Sequence, residues 1–190
     1  MIGELQWHAA TGLLSGRRVR QVLSPHQDAR PAGQQPELVV VHGISLPPGQ
    51  YGGAGVEQLF TGNLPADAHP YYATIAALRV SAHLFIRRDG ELVQCVPLHR
   101  RAWHAGVSSF EGRSACNDFS IGIELEGTDD EAYADAQYDT LISLLRLLQQ
   151  AWPVLQGPRL VGHSDVAPGR KSDPGAAFDW HRVRSALGSA

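Results

Sequence analysis

The sequence predicts a mixed α/β fold, a single central mixed β-sheet flanked by α-helices. Residues 37–45, ELVVVHGIS, are apolar and β-branched and are closed by Pro47-Pro48-Gly49, the pattern of a buried central strand. Residues 79–98 hold two β-rich runs around Asp89-Gly90, a two-residue hairpin signal. Across 135–152, Tyr138, Leu141, Ile142, Leu145, Leu148 and Trp152 recur at three- and four-residue intervals, the stripe of a helix packed on a sheet. A hairpin among irregularly alternating strands and helices favours a mixed sheet over a regular parallel βαβ array.

The first of these strands places His42 near its end. In the run 119–126, FSIGIELE, Ile121, Ile123 and Leu125 alternate with smaller or polar residues, so a further strand carries Glu124 and Glu126 on its polar face. Asp135 is a candidate N-cap for the long helix, and Pro153 ends it. Residues 159–163 read as a short strand, 164–175 as a loop rich in Pro and Gly, and 178–187 as a C-terminal helix. No internal repeat or low-complexity stretch is present in the sequence.

A chain of 190 residues with 43% hydrophobic content is enough for one substantial core and favours one domain. The formal charge is −3 and the 16 Lys and Arg are scattered, which gives no footprint for nucleic acid or an anionic membrane and points to a small-molecule partner. Glu4 precedes any basic residue and no apolar run leads to a cleavage site, so the N-terminus does not read as a signal peptide, and a cytoplasmic location is expected. No apolar run is long enough to span a bilayer. Two cysteines, Cys95 and Cys116, are too few for a disulfide framework and are expected to be reduced. The nine histidines are more informative, because imidazole is a common metal ligand and acid/base group.

A catalytic zinc needs three N, O or S ligands and one open position. His42, His163 and Asp173 supply two imidazoles and a carboxylate, although spacing alone leaves many other histidine pairs open. The segment 162–175, GHSDVAPGRKSDPG, narrows the choice. It resembles the H-x-D-V-A-P-G-R-K-x-D-P-G signature of the zinc-dependent N-acetylmuramoyl-L-alanine amidases, the family that includes amidase-type phage lysozymes and peptidoglycan recognition proteins. VVVHGISLPPG, SAHLFIRRDGELVQCVP, RAWHAGVSSFEGR and CNDFSIGIELEGTD occur in the order found in the AmpD-type branch, which acts on anhydromuramyl peptides in cell-wall recycling. The similarity covers about residues 23–185, so residues 1–22 are set apart as an N-terminal extension and 23–190 as the amidase domain.

The resemblance implies Zn2+ held by His42, His163 and Asp173, with Glu124 as general base and Lys171 stabilising the oxyanion. Alternation cannot separate Glu124 from Glu126, which share a strand face; only the family motif chooses the first. Trp103 and His104 of the W-H-A-G segment are expected to line the substrate cleft, and Tyr71 and Arg79 to contact substrate, the arginine by pairing with a carboxylate of the peptide. His83 reads as a structural strand histidine. In two places the chain departs from the family: Leu84 stands where many members have Tyr, and Gly43 where close relatives often have Asn. The implied reaction is hydrolysis of the amide between N-acetylmuramic acid, in its anhydro form, and L-alanine, by a monomer whose loss would alter β-lactamase induction. The alternatives are the same chemistry on polymeric peptidoglycan, or a module that binds muropeptides without cutting them.

Overall fold

Six strands form the central sheet of the structure, a computed structural model that describes residues 5–188. They are β1 (Val19–Gln21), β2 (Leu38–Ile44), β3 (Leu84–Ile86), β4 (Leu92–Gln94), β5 (Ser120–Glu126) and β6 (Leu160–Gly162). Their order across the sheet is β6-β2-β5-β3-β4-β1, and only the β3–β4 pair is antiparallel. The helices are α1 (Gly55–Phe60), α2 (Pro70–Ile75), α3 (Asp135–Ala151), α4 (His163–Val166) and α5 (Trp180–Ala186). The expected mixed sheet with flanking helices is therefore present. Glu4, with the rest of 1–4 and 189–190, lies outside the described residues. Val19–Gln21 of the N-terminal segment form the edge strand beside β4, and the Leu14 amide donates to Gln94 Oε1 at 2.7 Å.

Side chains alternate across the sheet with period two. Val39 and Val41 of β2 and Ile121, Ile123 and Leu125 of β5 meet Leu141, Leu144, Leu145 and Leu148 of α3, with Phe178 and Val183 closing the layer. Each fully buried leucine contributes roughly 1.5–3 kcal/mol, so this layer carries much of the stability. On the opposite face the apolar material is split. Leu38, Val40, Phe119 and Val161 pack with Val166 over β6 and β2, while Phe85 and Val93 pack with Val56, Leu59, Phe60 and Tyr72 over β3 and β4. The gap between these clusters lies over the ends of β2 and β5.

Local details differ from the expected ones where tertiary contacts intervene. The hairpin is not a two-residue turn: Ile86 pairs with Leu92, and Arg87 N–H donates to Glu91 O at 2.9 Å, leaving three residues at the tip. Gly90 there has φ +83°, and a Cβ at that position would run into the carbonyl of Ala136 on α3. Asp135 is the first residue inside α3, not its cap; Ala134 is extended, and Gln137 Oε1 reaches back to accept from its amide at 3.0 Å. The strand expected over 159–163 stops at Gly162, and His163 opens α4. The C-terminal helix starts at Trp180, capped by Asp179 Oδ1, which accepts from Arg182 N–H at 2.8 Å. Cys95 and Cys116 are both buried and free.

His83 is buried and structural, as expected. The Gly122 amide donates to its Nδ1 at 3.0 Å, so the ring proton sits on Nε2, which donates to Arg100 O at 3.0 Å. Burial, aided by the charge of Arg30, pushes its pKa down to about 3 from 6.5. The unfolded state thus binds more protons between those values, and stability from neutral His83 is lost as pH falls below 6.5. Going from pH 7.5 to 5 should cost about 2 kcal/mol through this residue. Chemical denaturation of metal-stripped wild type and His83→Gln at both values checks this: the acid loss should be smaller in the variant by that amount.

Candidate metal centre and active site

Three parallel strands bring the key side chains together at their carboxyl ends, the edge where open sheets bind ligands. In the β2–β5 register His42 stands beside Glu124, and His163 follows Gly162, whose partner is Val41. His42 and Glu124 share the face opposite α3 because both are an even number of residues from Val40 and Gly122, which are paired. Asp173 arrives from the loop after α4. Its carbonyl accepts from Ser164 N–H at 3.0 Å, and the carbonyl of Pro174 accepts from the buried Tyr133 hydroxyl at 2.9 Å.

His42 Nδ1 and His163 Nδ1 lie 2.9 Å apart, and each is 3.1 Å from Asp173 Oδ2. All three ligand-type atoms fall within 4.8 Å of one another. His163 Nε2 donates to the Ala105 carbonyl at 3.2 Å, which leaves Nδ1 of the neutral ring as a bare lone pair facing a carboxylate oxygen. Electron pairs crowded in this way repel unless a cation or shared proton lies among them. Two imidazoles, one carboxylate and a side open to a cleft match the donor set of a catalytic metal site. Burial is the main cause that lowers the His42 pKa, to about 4, which keeps the ring neutral and able to ligate.

Glu124 and Glu126, equivalent by alternation, have different surroundings. Glu126 is buried and fully engaged: Oε1 accepts from Gly52 N–H at 2.7 Å and Oε2 from Arg88 N–H at 3.0 Å, tying two loops to the end of β5. Glu124 Oε1 lies 3.9 Å from His42 Nδ1, and its buried Oε2 has no hydrogen-bond partner. Burial, reinforced by the charge of Asp173 and opposed by Lys171, raises its pKa well above the usual carboxylate range. A carboxyl free to exchange a proton beside a metal site is suited to general acid/base work.

The cleft above these groups has a volume of about 530 Å³. Its lining includes His42, Glu124, His163, Lys171 and Asp173, with Tyr71 of α2 and His104 also on its wall. One side is apolar, formed by Ile44, Leu46, Phe60, Ile75 and Leu78. Lys171 and Tyr71 are exposed. Trp103 and Arg79 are not part of this lining: Trp103 donates from Nε1 to Asp28 Oδ1 at 3.2 Å, and the Arg79 guanidinium stacks 5.5 Å from its ring centroid. His104 is partly buried against His42, its Nδ1 2.9 Å from His42 Nε2.

Comparison with known proteins identifies the family of the chain. Residues 32–176 match the family described as N-acetylmuramoyl-L-alanine amidase. The chain belongs to the N-acetylmuramoyl-L-alanine amidase family. Among relatives of this amidase, the 1,6-anhydro-N-acetylmuramyl-L-alanine amidase AmpD of Escherichia coli K12 is 59% identical over 165 residues, 87% of this chain and 90% of the relative. The crystal structure of a selenomethionine AmpD derivative superposes with a TM-score of 0.89 at 56% identity, covering 93% of this chain and 97% of the other. A complex of AmpDh3 from Pseudomonas aeruginosa with an anhydromuramic pentapeptide gives a TM-score of 0.61 at 28% identity, over 83% of this chain and 62% of that one.

The two departures of this amidase have structural correlates. Leu84 is fully buried in the layer beneath α3, on the face away from the cleft, so nothing at its position addresses substrate. Gly43 does line the cleft, and the Tyr133 hydroxyl occupies the space where a side chain at 43 would begin. Tyr133, Asn117 and Ser120 support the site but carry no signal that reading for ligands or bases detects. Their relevance comes from hydrogen bonds to residues distant in sequence, such as Asn117 Oδ1, which accepts from the amides of His104 and Ala105 at 3.1 and 2.8 Å.

Proposed function

We propose that this protein hydrolyses the amide bond between 1,6-anhydro-N-acetylmuramic acid and L-alanine in muropeptides, with Zn2+ held by His42, His163 and Asp173. The observation that carries this reading is the triangle of donor atoms at 2.9–3.1 Å beside the unpartnered carboxyl of Glu124, on a cleft open to solvent. Zinc, when bound, supplies a Lewis acid and lowers the pKa of a coordinated water toward ~7.

The remaining chemistry belongs to side chains. Glu124 accepts a proton from the attacking water and returns one to the departing alanine amine; its raised proton affinity suits it to hold the proton between the two transfers. The Lys171 ammonium, on the cleft wall, stabilises the oxygen that gains negative charge at the carbonyl. Tyr71 and His104 flank the substrate, and the Arg79–Trp103 stack beside the cleft receives its acidic peptide. Residues 23–190 carry all of these groups as the amidase domain, with 1–22 as an extension. In this reading the chain works as a monomer on cytoplasmic recycling fragments, and its loss alters β-lactamase induction. Likeness to AmpD of E. coli over 87% of the chain supports that setting.

Release of peptide from a soluble anhydromuramyl tripeptide and from intact sacculi, measured with equal amounts of zinc-loaded protein, tests the substrate. Turnover of the soluble fragment is expected to exceed that of sacculi at least tenfold. The reverse preference would assign the chain to polymeric wall, and stoichiometric binding without turnover would make it a recognition module.

A further inference from the structure

His104 is not needed as a donor in the triangle, yet the fold makes specific room for it. A Cβ at residue 122 would collide with the His104 ring, so glycine in the middle of β5 lets the ring lie across the strand. Asn117 pins the backbone on either side of the ring's attachment, at His104 and Ala105. The ring's two nitrogens then meet His42 Nε2 at 2.9 Å and the buried Ser120 Oγ at 3.0 Å.

Counting protons along this chain of contacts gives each ring a defined tautomer. Ser120 has one hydroxyl proton and lies 2.6 Å from the Cys116 carbonyl, which only accepts. The hydroxyl donates there, so Ser120 Oγ accepts from His104 Nε2–H. Neutral His104 then has a bare Nδ1, which accepts from His42 Nε2–H. His42 in turn is left with a bare Nδ1, the atom that faces His163 and Asp173. The adjacent residue completes the arrangement, because the Ala105 carbonyl fixes His163 in the same Nε2–H form.

We propose that His104, backed by Ser120, is a positioning residue that holds His42 as its Nε2–H tautomer, so that Nδ1 presents a lone pair to the metal. The inference rests on the metal-site reading above and assigns His104 and the Ala105 carbonyl to the outer shell of that site. Such partners orient a ligating imidazole, and their removal typically weakens metal affinity about 10–100-fold.

The test is Zn2+ affinity of metal-stripped protein, measured by competition with a chromophoric chelator. Wild type should bind one Zn2+ per chain, and His104→Phe should bind 10–100-fold more weakly, on the order expected for an outer-shell partner. His104→Asn, whose amide oxygen sits near the position of Nδ1, should recover most of the loss, whereas volume alone would favour Phe. Ser120→Ala should show a smaller loss and keeps the test usable if His104→Phe does not fold. Imidazole 15N shifts of metal-free wild type should place the His42 proton on Nε2. Affinity within twofold of wild type in both His104→Phe and Ser120→Ala, or a wild-type His42 protonated on Nδ1, would overturn the proposal while leaving the metal site standing. A wild type that takes up no Zn2+ would instead sink the metal-site reading itself.

Discussion

Asp173→Ala protein is expected to lose stoichiometric Zn2+ and to hydrolyse an anhydromuramyl tripeptide on the order of 10³-fold more slowly than wild type, since several kcal/mol of metal assistance is forfeited at about 1.4 kcal/mol per tenfold. The fold should survive. Asp173 sits in a loop outside the core clusters, and the bonds that hold that loop go to main chain: Ser164 N–H to the Asp173 carbonyl and Tyr133 Oη to the Pro174 carbonyl. Removing the carboxylate leaves both in place. It also leaves His42 and His163 facing each other at 2.9 Å with no third donor, a pair too poor in ligands to retain zinc. Metal analysis after dialysis, with turnover before and after chelation and Zn2+ readdition, checks the result. Wild type should regain activity on readdition and the variant should not; full turnover by metal-free Asp173→Ala would refute the assignment.

Glu124→Gln separates the base from the metal. The amide matches the carboxyl in size but cannot take up a proton, so kcat should fall by about 10²–10⁴-fold. Zn2+ affinity should change little, because Glu124 Oε1 is 3.9 Å from His42 Nδ1 and lies outside the triangle of closer donors. Stability should move the other way. A buried carboxyl with an unpartnered oxygen carries a desolvation cost when ionised, and a neutral amide relieves it, so Tm at pH 8 should be equal to or above that of wild type. Wild-type turnover in this variant would remove Glu124 from the mechanism, and loss of zinc along with activity would make it a ligand instead of a base.

Much of this molecule was legible in the sequence because the signals were local. The β-branched run around Val39–Val41, the three- and four-residue spacing from Tyr138 to Leu148, and the glycine-bearing hairpin each describe an element through neighbours in the chain. Element ends were less legible: Asp135 has the chemistry of a cap, but the extended backbone at Ala134 and the reach of Gln137 decided the start of α3. That His42, His163 and Asp173 belong together was legible through ordered motifs, and the structure gathers their donor atoms within 4.8 Å of one another, whereas spacing alone left the histidines unresolved.

Local patterns and ordered motifs in the sequence were enough for the class of fold and the family, and the resemblance named His42, His163 and Asp173 as the residues proposed to hold a metal. The family motif pointed to Glu124 over Glu126, but why they differ is visible only in the tertiary structure, where Gly52 and Arg88, 74 and 38 residues from Glu126, occupy that carboxylate and leave Glu124 Oε2 without a partner. Tertiary structure also decided that His104 stands behind His42, 62 residues away, with Gly122 making the space. Periodicity reports which face a side chain takes; what meets it on that face is set by chain segments distant in sequence, and hydrogen-bond partners and proton positions follow from that meeting.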